Sequence, residues 1–281
     1  MDRVRSSAQF ASLVKEYKRE HGRVQSNCFF LPSEVEEMCR KEKLFVQETK
    51  EGLYFFVVEE ECSRMYYYIE KSQAPSIELN KYDILKMPVI LDYVFKEEEG
   101  EALKKAGSSK WLEKGFRPYK RYRRMECTRE QFNAPDDYIK SREKFRIVKM
   151  KPKDYKAVAM LWRSGLDVYS TFLQEREEYE ESCEKGEIIG VSMEDGTPGA
   201  VNMAIKKGRT AFLQHLAVSP GLRGIGMGKA LFCATMDFVL NQYGADKANF
   251  WVDEENFRAV GMYRKVGFIN DGMVSRQFIL D

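Results

Sequence analysis

Histidine occurs only twice in this 281-residue chain, at His21 and His215. Its six cysteines, Cys28, Cys39, Cys62, Cys127, Cys183 and Cys233, never fall at C-x-x-C spacing. A protein zinc site draws on clustered Cys and His, so no metal is expected, and the thiols read as the reduced thiols of a cytoplasmic protein. Long apolar runs are missing too. None approaches the ~20 residues that cross a bilayer, and the opening Met-Asp-Arg-Val-Arg-Ser-Ser lacks the apolar core of a secretory signal. The expectations are a cytoplasmic location and no membrane partner. An excess of one charge is also absent: 46 Lys and Arg face 44 Asp and Glu, a net charge of +2, which argues against a dedicated nucleic-acid binder. Glycine is absent from residues 53–99, so that stretch holds no glycine-rich anion loop.

What is present is a globular balance, 43% hydrophobic and 32% charged, with length for one large or two medium cores. One run stands out. Residues 213–228 read L-Q-H-L-A-V-S-P-G-L-R-G-I-G-M-G. An apolar strand leads into a turn at Pro220 and Gly221, then Arg223, three alternating glycines and an apolar helix near Lys229. Backbone N–H groups at a helix N-terminus, unshielded by side chains, suit a pyrophosphate. A P-loop is excluded because Ala230 follows Lys229 where a magnesium-binding hydroxyl is required. A Rossmann fingerprint is excluded because the spacing is G-x-G-x-G rather than G-x-G-x-x-G.

The run resembles the acyl-CoA loop of the GNAT acetyltransferase superfamily, (R/Q)-x-x-G-x-(G/A) after a strand ending in L-A-V-x-P. The matching residues are Leu216, Ala217, Val218, Pro220, Arg223, Gly226 and Gly228. A second segment is similar to the same family's N-x-x-A-x-x-x-Y-x-K-x-G-F, at Asn256, Ala259, Tyr263, Lys265, Gly267 and Phe268. Here Asn256 is a good N-cap and Gly267 a left-handed helix stop. The resemblance implies acetyl-CoA as co-substrate. Its contacts would come from Leu216, Ala217, Val218, Arg223, Gly224, Ile225, Gly226, Met227, Gly228, Lys229 and Asn256. Tyr263 would be the general acid at the departing sulfur; its phenol is ordinarily less acidic than a thiol, which favours hydrogen bonding over full transfer.

The acceptor side is less determined. Period-2 alternation puts Phe212 and Gln214 on one strand face, Leu213 and His215 on the other. The resemblance implies that positions two and four before Leu216 face the substrate, which favours Gln214, whereas a bulge would turn His215 there instead. The expected function is acetyl transfer from acetyl-CoA to a small-molecule amine by direct attack. A longer acyl-CoA, or a non-catalytic acyl-CoA sensor or scaffold, are the alternatives; a homodimer is compatible with each.

The expected fold is α+β (mixed α/β): two GNAT-like domains, each a mostly antiparallel mixed sheet flanked by helices. Residues 145–281 form the cofactor-binding domain, read as strand 145–150, helices 154–163 and 171–185, hairpin 188–193 with 200–205, strand 210–218, helix 229–243, strand 247–252 and strand 273–280. Residues 1–135 read as a degenerate copy without the CoA loop; the alternative is an unrelated α+β domain that shares a short K-G-F helix stop. There 53–58 and 65–70 make a hairpin, 87–95 a strand and 101–114 a helix. That helix ends in Trp111-Leu-Glu-Lys-Gly-Phe116, which resembles Tyr263-Arg-Lys-Val-Gly-Phe268 but has Trp for the tyrosine. The polar stretch 133–137 reads as the boundary. The acidic run 175–181 reads as a solvated helix face and the basic-aromatic run 117–124 as an exposed strand.

Overall fold

Leu53-Tyr-Phe-Phe-Val57 alternates strictly between two cores. Leu53, Phe55 and Val57 pack with Phe10, Tyr17 and Val35, while Tyr54 and Phe56 pack with Met65, Leu91 and Trp111. A strand buried on both faces reads as a continuous apolar run, as this one does. In the computed structural model, residues 1–70, 75–77, 79, 85–86, 88–97 and 110–281 are described. The chain divides into two units, Met1–Arg121 with Val274–Asp281, and Tyr122–Met273.

The first unit contains β1 (Asp2–Arg3), α1 (Ser7–His21), β2 (Val24–Ser26), α2 (Pro32–Arg40), β3 (Leu44–Glu48), β4 (Gly52–Val58), β5 (Ser63–Glu70) and β6 (Val89–Lys96). Its sheet runs β1-β3-β4-β5-β6, with β2 also on β5. All pairs are antiparallel except β5 with β6. Ser6 caps α1 by accepting from the Gln9 amide at 3.1 Å, and Gly22 at φ +67° ends it.

The second unit takes the later part of β7 (Arg117–Thr128), then α3 (Asp136–Arg142), β8 (Arg146–Lys149), α4 (Tyr155–Gly165), α5 (Arg176–Glu184), β9 (Ile188–Ser192), β10 (Pro198–Lys207), β11 (Thr210–Val218), α6 (Met227–Asp237), β12 (Lys247–Asp253), α7 (Phe257–Lys265) and the start of β13 (Ile269–Leu280). Its strands lie in the order β8-β9-β10-β11-β12-β7, antiparallel except for the parallel pair β11 with β12. In the first unit the pairings β1-β3-β4-β5-β6 have the same directions as β8-β9-β10-β11-β12. One core lies beneath α6 and α7, with Leu213, Leu231, Phe232, Phe250, Tyr263 and Phe268. The other lies beneath α4 and α5, with Val158, Trp162, Tyr179, Val201 and Met203. Each unit is therefore a mixed, mostly antiparallel sheet flanked by helices, as expected.

Some boundaries differ from expectation. The helix read at 171–185 starts only at Arg176: Glu175 is its extended N-cap, and the Glu175 amide donates to Glu178 Oε2 at 3.0 Å. The polar stretch at 133–137 runs into α3, whose first turn carries Asp136 and Asp137. The helix read at 229–243 starts at Met227 and widens to a π-turn over Phe238–Gln242 before Gly244. Residues 101–109 of the expected helix lie outside the described residues; residues 110–112 are helical. The two similar helix endings share their hydrogen bonds. Phe116 N donates to Trp111 O and Phe268 N to Tyr263 O, both at 3.1 Å. Gly115 and Gly267 are both left-handed, at φ +88° and +102°.

Candidate active site

The parallel strands β11 and β12 pair only through Thr210–Phe212 and Lys247–Asn249. β11 continues to Val218 and β12 to Asp253 without further mutual pairing, so the two strands fork. On its other side, β11 holds Met203 opposite Gln214 but Val201 opposite Ala217. One residue of β10, Asn202, thus faces two of β11, His215 and Leu216, a bulge that bends the strand at the fork. The residue that absorbs the bend is His215, at φ +55°, a conformation costing of order 1 kcal/mol for a residue with a side chain.

Two contacts hold His215 there. Its carbonyl accepts from Trp162 Nε1 at 3.2 Å, and the rings meet edge-on at 5.2 Å. Its imidazole donates to the Phe172 carbonyl, but burial dominates and pushes its pKa down to about 4. The ring is therefore neutral near pH 7, and its Nδ1 is buried without a hydrogen-bond partner among the described residues. Gln214, one residue earlier, is exposed. The bulge thus turns His215 toward α4 and the loop before α5, away from the face that alternation alone assigns to it.

After Val218 the chain makes a 3-10 turn at Pro220–Leu222, and Arg223 Nε returns to the Val218 carbonyl at 3.2 Å. Gly224 and Gly226 have φ +94° and +93°, and Gly226 is the N-cap of α6. Only glycine adopts this geometry without strain. At Gly228 a Cβ would lie 3.1 Å from Val218 Cγ2, so an added methyl would narrow the approach between loop and strand. Among the described residues, the amides of Gly224, Ile225, Gly226, Met227, Gly228 and Lys229 donate to no protein acceptor. Free amides at a helix N-terminus, lined by glycines, suit a diphosphate. The Lys229 side chain points elsewhere: its Nζ lies 2.7 Å from Asp137 Oδ2.

Across the fork, Asn256 Oδ1 caps α7 by accepting from the Ala259 amide at 3.1 Å. Tyr263, two turns on, is 7% exposed and packs at 4.4 Å from the Phe250 ring and 4.8 Å from Phe232. Its hydroxyl has no hydrogen-bond partner among the described residues, and burial raises its pKa above that of an ordinary phenol. It stays protonated throughout the neutral range, a donor rather than an acceptor.

Trp162, Phe172 and Asp137 were not singled out as site residues from the sequence. Trp162 shows there only as part of the apolar face of a helix, and Phe172 and Asp137 carry no local signal. Among the described residues, no helix is long and apolar enough to cross a membrane, and no three His, Cys, Asp or Glu are grouped to hold a metal ion.

Residues 151–268 match the model of the Acetyltransferase (GNAT) family. A mycothiol acetyltransferase from Salinispora tropica is 42% identical over 53 residues, which is 19% of this chain and 17% of that protein. The match thus spans about a sixth of that curated relative's length. Among solved structures, a GCN5-related N-acetyltransferase from Sphaerobacter thermophilus aligns with a TM-score of 0.55 at 14% identity, covering 100% of this chain and 95% of that one. A tandem GNAT protein from the clavulanic acid biosynthesis pathway aligns with a TM-score of 0.53 at 11% identity, covering 85% and 83%. At these identities the structures speak for the fold alone.

Proposed function

We propose, from the premise that residues 151–268 form a domain of the GNAT acetyltransferase family, that this protein transfers the acetyl group of acetyl-CoA to the amine of a small-molecule acceptor. The observation that carries this reading is the fork between β11 and β12, which opens directly onto six unpartnered amides at the N-terminus of α6. The diphosphate would sit on those amides. The pantetheine arm would lie in the fork, against the backbone edge of Leu216 and Ala217 and beside Asn256.

The chemistry is a direct displacement. A neutral amine attacks the thioester carbonyl, a C–N bond forms, and the C–S bond breaks to give a thiolate. Backbone N–H groups at the fork would stabilise the developing oxyanion, a contribution of ~3 kcal/mol in comparable sites. Tyr263 donates its hydroxyl proton in a hydrogen bond to the leaving sulfur. Its raised pKa makes it a poor source for complete transfer but a secure donor. The ammonium proton of the tetrahedral adduct leaves to water, so that the products are the amide and the thiolate.

His215 is assigned a positioning role, because its ring N–H is engaged by Phe172 and its basicity is low. Gln214, exposed on the same strand, is assigned to acceptor contact. The test is calorimetry with acetyl-CoA, followed by thiol release with a panel of amines, amino acids and polyamines. Binding with amine-dependent thiol release is expected. Absence of binding by folded protein overturns the proposal.

A further inference from the structure

The first unit also has a forked parallel pair. β5 and β6 are joined only through Ser63–Met65 and Val89–Leu91. Beyond that point β5 takes another neighbour: β2 pairs with it through Val24–Ser26 and Tyr68–Glu70. The next residue, Asn27, is 8% exposed and spans the fork. Its Nδ2 donates to the Met65 carbonyl at 3.2 Å and to the Asp92 carbonyl at 2.9 Å, while its Oδ1 accepts from the Tyr67 amide at 2.8 Å. Gln25 Nε2 adds a bond across to the Tyr93 hydroxyl at 3.2 Å.

One carboxamide therefore satisfies main-chain groups on both arms of the fork. Those groups are wholly or partly buried, and leaving them unpaired would be unfavourable. A carboxamide offers an acceptor and N–H donors, the same functional groups as the amides of a pantetheine arm. The two units differ in the features that would admit such an arm. β11 is bulged and runs into the glycine loop, whereas β5 pairs with β4 without a register shift and no glycine follows it before Gly100.

We propose that Asn27 is an internal ligand: its carboxamide fills the first unit's fork where the amide of an acyl-CoA arm would bind, and so closes that unit to the cofactor. The chain then takes up one equivalent of acetyl-CoA, in the second unit. The stoichiometry rests on the function proposed above; the role of Asn27 in the fork does not.

The experiment uses the full chain. Native mass spectrometry with acetyl-CoA should give one equivalent. Hydrogen exchange should show the Tyr67 amide strongly protected, with or without millimolar pantetheine. In Asn27→Ala the Tyr67 amide should exchange about tenfold faster or more, and pantetheine should slow it again and raise the melting temperature, neither of which it does in wild type. Asn27→Asp keeps an acceptor for Tyr67 but loses both donors, so it should retain Tyr67 protection while melting earlier; it carries the test if the alanine variant does not fold. Two equivalents bound by wild type, pantetheine protection in wild type, or unchanged Tyr67 exchange in Asn27→Ala would overturn the proposal. Zero equivalents would overturn the functional reading, and the Tyr67 exchange would still decide the role of Asn27.

Discussion

Lys229 Nζ lies 2.7 Å from Asp137 Oδ2, and the same ammonium stands 4.5 Å from the centre of the Tyr138 ring. The lysine in the first turn of α6 is thus held by the start of α3, and its hydrogen bond keeps the Asp137 carboxyl below the usual carboxylate range. A negative charge beside the proposed diphosphate site would oppose the ligand. Asp137→Asn should therefore tighten acetyl-CoA binding a few-fold and steepen its salt dependence, because Lys229 is then free to turn toward the anion. Titration calorimetry at low and high salt reads both effects. Unchanged or weaker binding would make the ion pair purely structural.

Gly226 sits at φ +93° as the cap of α6. Gly226→Ala should cost about 1 kcal/mol or more in stability through backbone strain and weaken acetyl-CoA binding at least tenfold by shifting the neighbouring amides. Gly228→Ala, whose Cβ meets only the Val218 side chain at 3.1 Å, should be milder in stability yet still impair binding. Denaturant melts and calorimetry separate the two quantities. Equal binding by both variants and wild type would remove the loop from the cofactor site.

Tyr263→Phe deletes a hydroxyl that has no protein hydrogen-bond partner among the described residues, so the melting temperature should hardly move. Turnover should fall about 100-fold with the acetyl-CoA dissociation constant nearly unchanged. Steady-state kinetics beside calorimetry gives the answer. A variant with wild-type turnover would remove Tyr263 from the chemistry.

His215 has a folded pKa near 4, below the ~6.5 of an unfolded histidine. The unfolded chain therefore binds the proton first as pH falls. The linked stability is full above about pH 6.5 and is lost on the way down to pH 4. Between pH 7 and pH 5 the wild type should lose ~2 kcal/mol more than His215→Gln, read from urea melts at the two pH values. Parallel losses would mean that the imidazole is hydrated in the folded state.

Much of the site is readable along the chain because its signals are local. Asn256 and Gly267 bracket α7, and the cap bond to Ala259 spans three residues. The loop glycines mark positions where backbone geometry itself demands glycine. The bulge is different: it exists because β10 and β11 are out of step by one residue, a property of their pairing rather than of either strand. The start of α5 is local: Glu175 is its extended N-cap, and its amide donates to Glu178 Oε2 at 3.0 Å. Asp137 and Lys229 meet from distant segments, and no periodicity connects them.

Short-range chemistry therefore settled where the helices stop, which turns need glycine and where a helix start keeps its amides bare, since each depends on contacts within a few residues. Long-range pairing settled where each parallel pair parts and what lies across the gap. In one unit the gap leads to bare amides, and in the other it is bridged by Asn27. Hydrogen bonds between segments remote in the chain depend on how the strands align in space, and that alignment cannot be read from either segment alone.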